Sequence, residues 1–187
     1  FDDCTYFFTE EELELAVITS ISLDLTAVLG DSLREIATNK AGVLRPNVRA
    51  VTPSTQPPEA LEALQSEADR VGAELVIVDC SGTSEWDTKR ENRLLAAKAC
   101  SLLNVEADFS SSRWPARFEE IRVHGRLVIV DAAHYGDSVA KFLEAAHMKF
   151  PSTKFTVVFG CGAEKEGLEA MVDAVRPFES NVVCVEA

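Results

Sequence analysis

The chain has 187 residues, 47% of them hydrophobic and 26% charged, with a net charge of −13. This is the mix of a soluble globular protein, long enough for one large domain or two small ones, so disorder is excluded as the default. The acidic balance argues against a nucleic-acid surface, which needs clustered Lys and Arg, and apolar runs such as Leu127–Val130 are far too short to span a membrane.

Taken in order, the pattern alternates strand and helix. Leu15 to Ile18 is a short apolar run ending in Thr19-Ser20. Asp31 to Ala41 reads as a helix, with Asp31 or Ser32 as cap, Leu33, Ile36 and Ala37 as its apolar stripe, and Gly42 as its stop. Val48 to Val51 is strand-like. Pro57-Pro58 then opens an acidic amphipathic helix that runs to Val71 and ends at Gly72. Leu75 to Val78 is the next strand and Glu91 to Leu103 the next helix.

Residues 107–113, with Ser110-Ser111-Ser112, form the best candidate linker. Beyond it, Phe118 to Val123 and Leu127 to Val130 are strands joined by the tight-turn signal His124-Gly125. Asp137 to Phe150 is a helix, Phe155 to Phe159 a strand, Glu164 to Val175 a helix and Val182 to Val185 a last strand. Strands separated by helices imply parallel β-α-β units, hence an α/β fold with its sheet covered on both faces.

Five cysteines, odd in number and without C-x-x-C pairing, read as reduced thiols rather than a disulfide scaffold or zinc site. The histidines His124, His134 and His147 have no metal-ligand spacing, and His147 is expected on a solvated helix face. No G-x-x-x-x-G-K-S/T phosphate loop occurs in the sequence. Ligands of open parallel sheets sit beyond the carboxyl ends of strands, which draws attention to two segments. Asp131-Ala132-Ala133-His134 follows an apolar strand directly; its Asp can accept hydrogen bonds from a ribose, or can cap and brace the turn. Phe159-Gly160-Cys161-Gly162 is a glycine-bearing strand exit of the kind any tight turn uses. Lys40, near a helix end, is by pattern a surface lysine favoured by the helix dipole.

Several stretches carry a more specific signal. Ile18 to Leu25 resembles "ITSIGLDH", Leu29 to Val43 resembles "LGDTLEEIAxEKAGI", and Gln56 to Ala60 reads "QPPEA". Asn92 falls at the Asn of a Q-x-x-N helix, Arg113 to Glu119 resembles "xWPGRLE", and Asp131 to His134 resembles "DGAH". In this order these segments resemble the folylpolyglutamate synthase/dihydrofolate synthase family, related to the Mur ligases. KAG and WPAR separate that branch from ligases acting on cell-wall precursors.

The resemblance implies an ATP-dependent ligase. ATP phosphorylates a substrate carboxylate, and the amino group of glutamate attacks the acyl phosphate to form an amide. It implies ATP and Mg²⁺ as cofactors and folate or dihydropteroate, glutamate and ATP as small-molecule partners, with no nucleic acid and no membrane. By the same resemblance Lys40 aligns with a carbamylated catalytic lysine, Arg117 with an arginine that contacts ATP phosphate, Asp131 with the ribose-binding aspartate, and His134 and Asn92 with nucleotide-side residues.

Residues 1–112 would be the C-terminal part of a central ATPase-type domain and residues 113–187 the first part of a Rossmann-like C-terminal ligase domain. The chain opens on Phe1 rather than Met, and Phe1 to Thr5 resembles the end of "RLDATN", so it is expected to be the back portion of a longer polypeptide carrying the phosphate loop. No secretory signal opens the chain, and a cytosolic or organellar compartment, mitochondrion or plastid, is expected.

There are departures. The family's metal-binding His is Leu25, which has no lone pair to offer, so no metal ligand is assigned here. Tyr135 replaces an Asn, and the stretches before Asn92 and Trp114 are short. These leave an alternative: a catalytically dead paralogue serving as a structural or assembly subunit, with a protein partner.

Overall fold

The structure, a computed structural model, describes residues 8–23, 29–82, 88–109, 114–161, 168–178 and 181–186. Leu25, Arg113, Gly162 and the opening Phe1 to Thr5 lie outside the described residues. The chain divides into two compact units, Phe1–Ser110 and Ser111–Ala187.

In the first unit β1 (Leu15–Val17), β2 (Arg49–Pro53) and β3 (Glu74–Val78) form a parallel sheet in that order. The register sets Ala16 beside Ala50 and Leu75 on one face, and Val17 beside Val51 and Val76 on the other. The helices α1 (Leu33–Lys40) and α2 (Pro58–Val71) cover the first face, where Ala16, Ala50, Ile36, Ala37 and Leu64 are buried together. On the second face α3 (Thr88–Leu102) packs Leu95 and Ala99 against Val51 and Val78. Both faces are therefore covered, as the alternation of strand and helix implies. The small residues Ala16 and Ala50 leave room for α1 and α2 to approach closely.

Each helix starts where its sequence allows. Ser32 accepts the Glu35 amide at 3.2 Å, while Glu35 accepts the Asp31 and Ser32 amides at 2.9 and 3.1 Å, a reciprocal cap. Pro58 occupies the first turn of α2, where its missing N–H costs nothing, and Gly72 ends that helix at φ +77°.

The second unit departs from a single parallel sheet. β4 (Glu119–Val123) and β5 (Arg126–Val130) are an antiparallel hairpin, turned by His124 and Gly125 at φ +48° and +76°. β6 (Thr156–Cys161) and β7 (Asn181–Glu186) pair in parallel. The helices α4 (Gly136–Lys149) and α5 (Leu168–Val175) bury Val139, Leu143, Met171 and Val175 against Val157 and Phe159. Val158 points the other way and is 67% exposed, so among the described residues this sheet is covered on one face only. His147 does not sit on a solvated face: it is half-buried between the rings of Phe155 and Phe178, and its Nδ1 donates to the Leu143 carbonyl. No helix among the described residues is long and apolar enough to cross a membrane.

Gly30 shows how tightly the start of α1 is specified. Its φ is +123°, and a Cβ there would lie 2.4 Å from the Glu35 Cβ, inside the cap itself. Gly30→Ala is expected to lower the urea unfolding free energy by about 1–3 kcal/mol. Gly72→Ala, which meets open space, should cost about 1 kcal/mol. Equal losses would show that the cap does not constrain position 30.

Candidate functional site

Polar side chains gather at the carboxyl ends of the first unit's strands. Gln56, just beyond β2, is 5% exposed and stitches two strand exits together. Its Oε1 accepts the Ile21 amide at 2.9 Å, and its Nε2 donates to the Thr19 carbonyl at 2.9 Å and to Thr52 Oγ1 at 2.8 Å. Thr55 donates to the buried Glu91 carboxylate on the first turn of α3. Ser54 Oγ accepts the Cys80 amide at 2.9 Å, tying β2 to the exit of β3.

Burial pushes the Cys80 thiol above its ordinary range, and the Glu91 carboxylate adds to the rise. A hydrogen bond from Ser54 opposes it, and Asp79 adds a smaller increment. Neither Cys80 nor Cys100 forms a disulfide.

Lys40 and Asn92 belong to this unit but are not brought together. Lys40 closes α1 and is half-buried, whereas Asn92 is exposed on α3, the helix on the opposite face of the sheet. Among the described residues Lys40 makes no ion pair.

The second unit does assemble its candidates. Asp131 follows β5, and its two carboxylate oxygens accept different backbone amides: Phe118 N–H at 2.7 Å and Ala133 N–H at 2.9 Å. The Ala132 amide donates to the Ala116 carbonyl at 2.9 Å. The strand end that carries Asp131 is thereby joined to the turn that carries Arg117. Arg117 is exposed and, among the described residues, makes no ion pair.

His134 is also exposed. Its Nδ1 lies 2.9 Å from the Ala132 carbonyl, which can only accept, so Nδ1 carries the proton and Nε2 of the neutral ring is left as an acceptor. The His134 and Tyr135 amides both donate to Ser138 Oγ, at 3.1 and 3.2 Å, which caps α4.

Both sequence readings of Asp131 are compatible with this geometry. An ionised carboxylate has about four acceptor positions, and the two backbone amides use one on each oxygen. The rest can accept from a ribose. Arg117 supplies a forked, permanently charged donor suited to phosphate oxygens, so the donor set of this turn fits a nucleotide. Among the described residues no three His, Cys, Asp or Glu side chains gather to hold a metal ion.

Comparison with known proteins agrees with these motifs. The "Mur ligase, glutamate ligase domain" family matches residues 116–187. The chain is 28% identical over 190 residues to a dihydrofolate synthase/folylpolyglutamate synthase of Bacillus subtilis, covering 81% of this chain and 44% of that protein. It is 23% identical to a folylpolyglutamate synthase of Lacticaseibacillus casei, covering 91% and 48% respectively. Its fold is similar to that of an FPGS–AMPPCP–folate complex, with a TM-score of 0.76, 20% identity, and coverage of 92% of this chain and 51% of that one.

Residues 116–187 thus match a Mur ligase glutamate ligase domain, and the chain is similar to folylpolyglutamate synthases and dihydrofolate synthases. It spans about half the length of the curated relatives it matches. Where the family motif has Gly, this chain has Ala116, held at φ +52°. Sequence reasoning missed Gln56 and Glu91 as hydrogen-bond partners in the first unit and Glu119 as one in the second. Gln56 was visible only as part of a motif, and nothing in local pattern tells a buried glutamine from a solvated one.

Two measurements check this region. Gln56→Leu leaves the Ile21 amide without its acceptor and is expected to cost about 1–3 kcal/mol in chemical denaturation. An unchanged midpoint would show that water replaces the side chain. For Cys80 the folded thiol titrates above the unfolded one. Its contribution to stability is therefore complete below the unfolded value, about 8.5, and is lost as pH rises through the folded value. Iodoacetamide at pH 8 is expected to label half-buried Cys100 well before Cys80. Faster labelling of Cys80 would contradict its burial.

Proposed function

We propose that this chain contributes the nucleotide-contacting turn and the glutamate-ligase portion of an ATP-dependent ligase that adds glutamate to folate or dihydropteroate. The observation that carries the reading is the turn that joins Arg117 to Asp131, with His134 three residues on. In this reading the Arg117 guanidinium neutralises phosphate oxygens, the remaining lone pairs of Asp131 accept from ribose hydroxyls, and His134 offers Nε2 beside the nucleotide. ATP, when bound, supplies the phosphoryl group that activates a carboxylate. Alignment and charge neutralisation then supply most of the catalysis.

Residues 1–112 are proposed as the C-terminal part of the central domain and residues 113–187 as the first part of the ligase domain, the latter supported by the family match. Lys40 is proposed as the site of carbamylation and Asn92 as a nucleotide-side residue, both on resemblance alone. None of these proposed roles depends on a metal ion held by the described residues. The paralogue without catalysis remains a second reading, favoured by Leu25 standing where the family has a histidine.

Calorimetric titration with AMPPCP tests the nucleotide role. Arg117→Ala is expected to weaken binding about tenfold, as removal of a charge-assisted hydrogen bond does, and Arg117→Lys to recover part of it. Thermal stability should hardly move, because the side chain is exposed. Wild-type affinity in Arg117→Ala would remove Arg117 from the site. ADP release by the 187-residue chain with folate and glutamate at an enzyme-like rate would show that it needs no phosphate loop from elsewhere.

A further inference from the structure

Arg117 lies between two residues whose backbones are strained. Ala116 has φ +52° and Phe118 has φ +46°, in the left-handed region that costs an ordinary residue about 1–2 kcal/mol. Neither is Gly, Asn or Asp, the residues that enter this region readily. Such a backbone persists only when its surroundings over-determine it.

The surroundings here do so at each strained position. The Ala116 amide donates to Glu119 Oε2 at 2.9 Å, and its carbonyl accepts from Ala132 at 2.9 Å. The Phe118 amide donates to Asp131 Oδ2 at 2.7 Å. The Phe118 ring meets Phe142 edge-on at 5.9 Å, and the Lys149 ammonium lies 5.7 Å from its centroid. Lys149 is itself paired with Glu120 on β4. Arg117, between these two fixed residues, is the one member of the turn whose side chain is left to solvent without an ion pair among the described residues.

We propose that Glu119 is a positioning residue: with Asp131 it locks the strained turn Ala116–Phe118, so that the Arg117 guanidinium is presented to nucleotide phosphate with little backbone freedom left to lose on binding. The role rests on the nucleotide reading given above. A charged acceptor is suited to it, since hydrogen bonds to ionised carboxylates are roughly twice as strong as neutral ones. Backbone order set before binding need not be created at the moment of binding, and this raises affinity without any new contact to the ligand. Glu119 thus acts through Arg117 and need not touch the nucleotide.

The test is a double-mutant cycle on the 187-residue chain, read by AMPPCP calorimetry and by the backbone chemical shifts of Ala116 and Phe118. Glu119→Ala is expected to weaken AMPPCP about fivefold or more in the wild-type background and to have almost no effect in Arg117→Ala. Its Ala116 shifts should leave the positive-φ range, whereas Glu119→Gln, which keeps an acceptor oxygen, should hold them and restore most of the affinity. Equal weakening in both backgrounds, or unchanged shifts in Glu119→Ala, would overturn the proposal. An Arg117→Ala variant that binds AMPPCP as the wild type does would overturn the nucleotide reading instead, and the shifts would still decide whether Glu119 sets the turn.

Discussion

The second unit depends on one carboxylate. Asp131 stands at the end of β5 and takes a backbone amide on each oxygen, one from its own exit loop and one from the turn before β4. The hairpin makes this meeting possible, because pairing Glu119 with Val130 brings the start of β4 beside the end of β5. Without the hairpin the turn carrying Arg117 would have no strand end to hold it. Without the aspartate, the Phe118 amide would lose the partner that compensates its unfavourable φ.

The first unit solves a similar problem with neutral groups. Gln56 links the exits of β1 and β2 through both ends of its amide, and Ser54 links β2 to the segment after β3. Buried polar groups are costly unless satisfied, and these are satisfied mainly by backbone groups of the loops they order. Loops at strand carboxyl ends are where open α/β sheets place ligands. The same hydrogen bonds that hold the fold therefore also order the loops at these strand ends.

Much of the architecture is legible in the sequence itself. Periodicity placed the helices, Ser32 and Gly72 marked helix ends, and His124-Gly125 marked the hairpin. These are local signals, decided by backbone sterics and by capping chemistry within a few residues. The face bearing Val158, uncovered among the described residues, is not legible, because the pattern Phe155–Phe159 reads as a fully buried strand whatever covers it. His147 was misplaced for the same reason: the rings of Phe155 and Phe178 that enclose it come from other parts of the chain.

Among the candidate site residues, Arg117, Asp131 and His134 are proposed through family motifs, and spacing alone leaves Asp131 open between ribose and turn. In the structure Asp131 braces the turn with one backbone amide on each oxygen, which is compatible with the proposed ribose contact. Glu119 was invisible because its function lies in a hydrogen bond to a strained amide, and strain has no sequence period. The most direct measurement is amide hydrogen exchange at Phe118 and Ala133 by NMR, in wild-type protein and in Asp131→Asn. If Asp131 holds the turn, both wild-type amides are protected, and the substitution speeds their exchange while the α4 amides stay unchanged. Rapid exchange of Phe118 in the wild type would contradict the account at its root.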